Sequence, residues 1–233
     1  MRPYVVRQGD YLTRLAVQHG FDADEVWSHE SNRDLRERRP NRDMLAPGDI
    51  LHLPERDPRA APFRSGGTRR YQARVPKVPV RIVLRSGREP IRDEPFVVTG
   101  AGRTAIEGTS DGEGVIRFEV PVHVTEVYLR LPRSNAAYPV LVGHMDPLEE
   151  ESGVRARLEH LGYLSPPLRD VLARGPLGPL AHRRDTIPEP PDDALEQAVR
   201  RFQTANGLEA TGAVDDATRD ALRRAHDGAG GGS

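Results

Sequence analysis

The hydrophobic period of this chain changes twice, which rules out a single helix bundle or a single sheet. From Val78 the apolar residues Val78, Val80, Ile82 and Leu84 alternate with Pro79, Arg81, Val83 and Arg85, and Ser86-Gly87 ends the run. A period of two puts the first set on one face of a strand. Before this run, Leu12, Leu15, Ala16 and His19 share one helical face, and after it Leu195, Val199 and Phe202 recur at i, i+4 and i+7. At 233 residues the chain is long enough for two or three compact domains with small separate cores. The expected class is multi-domain α+β.

Charge narrows the partners. Acidic and basic residues nearly balance, for a net charge of -1, so neither nucleic acid nor an anionic membrane is favoured electrostatically. With no cysteine the chain has no disulfide, thiolate metal site or cysteine nucleophile, and the redox compartment stays open. MRPYVVRQGD lacks the apolar core of a secretory signal, and no segment approaches the roughly 18 apolar residues of a membrane span. The expectation is synthesis in the cytosol without a Sec signal. Reaching the periplasm or cell wall would then take another route.

The first segment, 1–54, reads as β-α-α-β. Tyr4, Val5 and Val6 form a short strand; Gly9-Asp10 makes a turn whose aspartate is placed to cap the first helix; Gly20 ends that helix; and Asp22 with Glu25 has capping-box spacing for a second helix with Val26 and Trp27. A polar loop, RDLRERRPNRDM, follows Asn32, and Ala46-Pro47-Gly48-Asp49 turns into a strand of Ile50, Leu51 and Leu53. Residues 55–76 mix Pro, Arg and Gly and read as a linker of solvated charge. Residues 77–132 read as an antiparallel β-sandwich, with further strands at Phe96–Val98, around Ala105-Ile106, at Val115–Val120 and at Val127–Leu129. Residues 133–152 form a junction. Residues 153–227 read as three helices: Val154, Leu158 and Leu161 mark the first, a Pro-rich insertion follows, Asp193 with Glu196 opens the second, and Asp215 opens the third, which carries Thr218, Ala221 and Leu222. The terminal 228–233, GAGGGS up to its last serine, reads as a flexible tail.

Two resemblances attach to these segments. YVVRQGDYLTRLA, Asn32 and LAPGDILHLP resemble the LysM domain over about residues 3–54, which implies a βααβ module that binds N-acetylglucosamine-containing glycans such as peptidoglycan and chitin. VRARLEHLGYL and AVRRFQTANGLEATGAVDDATRDAL resemble the three-helix modules of the peptidoglycan-binding-domain-like family, through Phe202-Gln203, Gly207-Leu208, Thr211-Gly212, Asp215 and Thr218. The middle segment resembles a transthyretin-like or carboxypeptidase-regulatory-like sandwich through GTSDGEGVIRFEV. The order of modules resembles proteins that accompany type VI secretion or phage-tail-like contractile injection systems. That comparison is one of architecture.

Sugar recognition calls for a shallow groove with backbone amides, a few polar groups and an apolar floor. The LysM resemblance implies one such groove built from Gly9, Asp10, Tyr11, Asn32, Leu45, Ala46 and Pro47. Leu12, Leu15 and Ile50 read as core, and so does Trp27, the one tryptophan. A second candidate glycan site takes Tyr163, Gln203 and Asn206. No H-E-x-x-H, Gly-rich phosphate loop or G-x-S-x-G elbow occurs, so no catalytic residue, metal ligand or cofactor is assigned. His144 and Asp146 in GHMDP read as a turn. The leading expectation is a non-catalytic, modular protein binding peptidoglycan at both ends. The alternative is an adaptor or cargo of an injection apparatus whose LysM-like module docks protein; Tyr11, where the family has a small hydroxyl residue, and the charged stretch after Asn32 favour it.

Overall fold

A computed structural model describes residues 1–55, 75–86, 89–165 and 193–228. Most of the linker, the whole Pro-rich insertion after Ser165 and the end of the tail lie outside the described residues. The chain divides into two compact units, one of residues 1–84 and 90–144, the other of 85–89 and 145–233.

The first unit opens with β1 (Arg2–Val5), which pairs antiparallel with β2 (Ile50–Leu53) in the register Tyr4 to Leu51. Between them run α1 (Leu12–His19), α2 (Ala23–Ser28), a 3-10 turn at Glu30–Asn32 and α3 (Arg33–Arg38). Leu12, Leu15, Val26, Leu35, Leu51 and Leu53 meet in one small core, and Trp27 packs against it. Each fully buried leucine contributes about 2 kcal/mol, and without this core the two-stranded sheet would not stand alone.

Two local expectations are corrected. Asp10 does not cap α1: Tyr11 holds the N-cap position without a side-chain bond, and the Asp10 carboxylate instead accepts from Tyr4 Oη (2.7 Å) and Arg7 N (3.0 Å), closing its own turn. The polar stretch after Asn32 is helix α3 rather than loop. Its one leucine, Leu35, is buried, and the following Arg39 reaches Asp49 through Nε (2.9 Å) and Nη2 (3.0 Å). Both members of that pair are buried. Burial pushes the Asp49 carboxyl up, and the hydrogen bonds from Arg39 and Ala46 N outweigh it, holding Asp49 below the usual carboxylate range.

The same unit contains two sheets that share one core. One is four-stranded, in the order β10 (Ala136–Leu141), β9 (Glu126–Leu131), β6 (Pro95–Thr99), β7 (Ile106–Thr109); the other pairs β3 (Lys77–Val83) with β8 (Val115–Pro121). Two-residue strands β4 (Arg85–Ser86) and β5 (Glu89–Pro90) pair with each other. Val78, Val80 and Ile82 stand opposite Val120, Phe118 and Ile116, so both alternating sets face inward together, onto Phe96, Val98, Val127 and Leu129. The SDGEG corner is held by Asp111, whose Oδ1 accepts from Glu113 N and Val115 N. Gly114 is required there: its φ is +75°, and a Cβ would stand 2.6 Å from the Leu84 carbonyl. Strand β10 falls in the stretch read as a junction. It is an edge strand containing Pro139 and is mostly exposed, so it carries little alternation to read.

In the second unit α4 (Glu151–His160), α5 (Ala194–Ala205) and α6 (Asp216–Leu222) share a core of Leu148, Val154, Leu158, Leu161, Val199, Phe202 and Leu222. Asp215 caps α6, its carboxylate accepting from Thr218 N (2.8 Å) and Thr218 Oγ1 (2.6 Å). Those two bonds hold the Asp215 carboxyl below its usual range. A π turn, Arg223–Asp227, follows α6 directly.

Candidate functional site

The segments flanking the two loops proposed as groove walls are hydrogen-bonded to each other. Val6 N donates to Asp49 O (2.9 Å), Gly48 N to Val6 O (2.9 Å), and Thr13 N to Asp43 Oδ1 (2.7 Å). The corner they form is filled from within the unit. Tyr11 is 4% exposed and its hydroxyl donates to the Val122 carbonyl (3.0 Å), just past strand β8. A Cβ on Gly143 would stand 2.7 Å from the Tyr11 ring, and one on Gly9 would stand 2.8 Å from His144 Nε2. The sandwich is therefore packed onto the Gly9-Asp10-Tyr11 corner. Burial raises the Tyr11 phenol above its ordinary pKa.

The remaining groove candidates are placed as follows. Asn32 is fully buried, with Nδ2 donating to Val26 O (2.9 Å) and His52 O (2.9 Å) and Oδ1 accepting from His52 N (2.8 Å), so it joins the helices to β2. Leu45 and Ala46 are each 5% exposed. Asp10 is half-buried and Pro47 is exposed. Gly9, Tyr11, Asn32, Leu45 and Ala46 are thus packing residues rather than contact residues in this structure. Tyr4, whose hydroxyl donates to Asp10, is pushed up to about 12 by burial and by that neighbouring carboxylate.

If the corner is packed in this way, losing its contacts lowers stability. Tyr11→Phe is expected to cost about 1 kcal/mol for the lost hydrogen bond and the stranded Val122 carbonyl. Gly143→Ala, which drives a methyl into the Tyr11 ring and adds strain at φ +79°, is expected to cost about 2 kcal/mol. Urea unfolding followed by the fluorescence of Trp27 reads both. Unchanged midpoints in the two variants would mean that the corner stands open.

In the second unit the candidates Tyr163, Gln203 and Asn206 separate. Gln203 is corrected: it is fully buried, with Nε2 shared among Thr211 Oγ1 (3.1 Å), Ala213 O (2.9 Å) and Thr218 Oγ1 (3.0 Å), and Oε1 accepting from Gly212 N (2.9 Å). It ties the 207–215 loop to α5 and α6, both its donor hydrogens are used, and its full burial keeps it from a ligand. Tyr163 is half-buried, its ring edge-on to Phe202 at a centroid distance of 5.3 Å, with its carbonyl accepting from Arg201 Nη2 (2.8 Å). Asn206 is exposed, at the C-cap of α5, and Nδ2 donates to Phe202 O (2.8 Å). Tyr163 is thus partly and Asn206 fully at the surface, each in contact with Phe202, and Arg201 is an exposed cation that sequence reading did not single out.

Sequence reading also missed a buried polar chain. Arg157 is fully buried and donates to the Asp227 carboxylate from Nε (3.1 and 3.2 Å) and Nη2 (3.1 Å), and from Nη1 to Asp146 O (2.8 Å) and Gly153 O (3.0 Å). The signal was present: Arg157 stands three residues after Val154 and four before Leu161, on the inward face of α4. Burial pushes the Asp227 carboxyl up, but the bonds from His226 and Arg157 hold it below the usual range. Among the described residues no group of three or more His, Cys, Asp or Glu could hold a metal ion, and no helix is long and apolar enough to cross a membrane.

Comparison with known proteins adds one finding in this region. Residues 185–222 match the family described as Putative peptidoglycan binding domain, a span that takes in α5, the 207–215 loop and α6. No curated protein and no solved structure matches the chain.

Proposed function

We propose that this chain is a non-catalytic peptidoglycan-binding protein whose wall contact belongs to its helical unit, and whose N-terminal LysM-like module docks protein instead of glycan. The match over 185–222 carries the first half of the reading. The buried Tyr11 corner supports the second, because the loops that would hold a sugar hold the sandwich. The wall contact is assigned to Tyr163 with Arg201, whose guanidinium donates to the Tyr163 carbonyl, and to Asn206 at the C-cap of α5. Such a set offers an apolar edge for a sugar ring, amide hydrogen bonds for its N-acetyl and hydroxyl groups, and a charge for a stem-peptide carboxylate. The order of modules favours delivery to the periplasm or wall by a type VI or other contractile injection system, and partners in that apparatus are part of the same proposal.

Co-sedimentation with purified peptidoglycan sacculi tests this. The full chain is expected to pellet saturably, the Tyr163→Ala/Asn206→Ala variant to pellet at least about tenfold more weakly, and Tyr11→Phe to pellet like the parent. A folded protein that stays in the supernatant would end the wall-binding reading. Loss of pelleting in folded Tyr11→Phe, with the helical variant unaffected, would return the glycan site to the LysM-like module.

A further inference from the structure

The buried chain that begins at Arg157 continues to the surface. Asp227, already holding the guanidinium, also meets His226: Oδ1 lies 2.7 Å from His226 Nδ1. Paired with a buried arginine, the carboxylate is ionised and can only accept, so Nδ1 of His226 carries the proton. In a neutral imidazole this leaves a lone pair on Nε2. That nitrogen faces Nδ1 of His160, at the end of α4, at 2.9 Å, and with ring centroids 5.2 Å apart the two nitrogens meet end-on.

As it stands His160 Nδ1–H donates to the His226 Nε2 lone pair, and the same two nitrogens become metal donors when the His160 proton shifts to its Nε2. Tetrahedral zinc bonded to two imidazoles at 2.0–2.1 Å sets their nitrogens about 3.4 Å apart and their bond directions about 109° apart, so the pair, now end-on, opens by about half an ångström and one ring turns out of line. His160, exposed at the last residue of its helix, is the ring with room to turn while Asp227 holds His226 in place. The Asp227 carboxylate behind His226 has the arrangement that fixes tautomer and ring direction in metal-bound histidines and raises their basicity. Arg157 and Asp227 cancel in charge, and the neighbouring Arg223 is paired with Asp220 (2.6 Å), so those two cations are each balanced by a carboxylate.

We propose that His160 and His226 form a two-imidazole site for a late first-row divalent cation, Zn²⁺, Ni²⁺ or Cu²⁺, with Asp227 orienting His226 and the remaining coordination positions open to solvent or an outside ligand. Imidazole donors select these ions over Mg²⁺ and Ca²⁺, which prefer oxygen. The site bridges α4 and the π turn after α6, so occupancy ties the last described turn of the chain to the first helix of its unit. The inference stands apart from wall binding and survives or fails without it.

Titration calorimetry of the full, untagged chain with ZnCl₂ and NiCl₂, and with MgCl₂ as a control, tests the site. One equivalent of Zn²⁺ or Ni²⁺ is expected to bind, at least about tenfold more weakly in His160→Ala and in His226→Ala and unchanged in His123→Ala, with no Mg²⁺ heat. Because His160 is exposed, its variant is expected to melt like the parent in EDTA, which separates lost ligation from lost fold. In proton NMR, Zn²⁺ is expected to move the ring resonances of His160 and His226 ahead of other histidines. Binding that persists in both single variants, or that spreads over several weak equivalents, would overturn the proposal.

Discussion

Arg157→Met is expected to destabilise the helical unit by about 3–5 kcal/mol, the range found when one partner of a buried ion pair is removed. The loss has two parts. Asp227 is left with its carboxylate 13% exposed and without the guanidinium, and the carbonyls of Asp146 and Gly153 lose the donor at Nη1. Adding Asp227→Leu is expected to recover much of the loss, since the stranded charge goes with it. Thermal unfolding followed by helical circular dichroism reads the effect, while Trp27 fluorescence, which reports on the other unit, should hardly move. The pH dependence has a definite sign. The folded Asp227 carboxyl titrates below its unfolded value, so its contribution is fully present above about pH 4 and is lost as pH falls through the lower folded value. In Arg157→Met that acid-side loss should begin at higher pH. An Arg157→Met protein with parental stability would mean that the buried pair is not formed.

How far the sequence disclosed this fold depends on whether a residue's role follows from local pattern. The alternation of Val78, Val80 and Ile82 was legible because the exposed Lys77, Pro79 and Arg81 stand between them, and Asp22 and Asp215 were legible as caps because capping is a contact within one turn. Strand β10 was hidden because an edge strand needs no apolar alternation, and α3 because a single buried leucine sets no period. Asp10 misled for another reason. Its position before α1 fits a cap, yet Tyr4 competes for the same carboxylate across the strand, and nothing within one turn shows that contact.

The candidate sites were less legible than the fold, and one physical reason covers both units. The polar residues that make a module recognisable are those its backbone cannot do without. Asn32 satisfies Val26 and His52, so it marks the fold and leaves no atom for a sugar. Tyr11 shows a different limit: the partner that buries it lies 111 residues away, at Val122, and no local pattern reports such a contact. Of the candidates that remain, Arg201 and Asn206 are exposed, and Tyr163 is half-buried with its ring against Phe202.

Gln203 provides the sharpest separation of these roles, and Gln203→Leu is expected to lower the stability of the helical unit by about 3–4 kcal/mol. One side-chain amide serves Thr211, Gly212, Ala213 and Thr218, and each net hydrogen bond is worth about 1 kcal/mol. Thr211 and Ala213 are exposed and regain water, whereas the Thr218 hydroxyl is 1% exposed and also supports the Asp215 cap, so its loss propagates into α6. A fall in melting temperature of roughly 12–32 °C corresponds to that loss in a unit of this size. Gln203→Glu should do no better despite its shape, because it keeps the acceptor for Gly212 N and surrenders every donor. A ligand-contact role predicts the reverse pattern, a parental melting temperature with lost pelleting on sacculi. If Gln203→Leu instead pellets like the parent at a temperature where it is still folded, the amide acts only through the loop it holds, and wall contact rests on the surface residues of α5 and Tyr163.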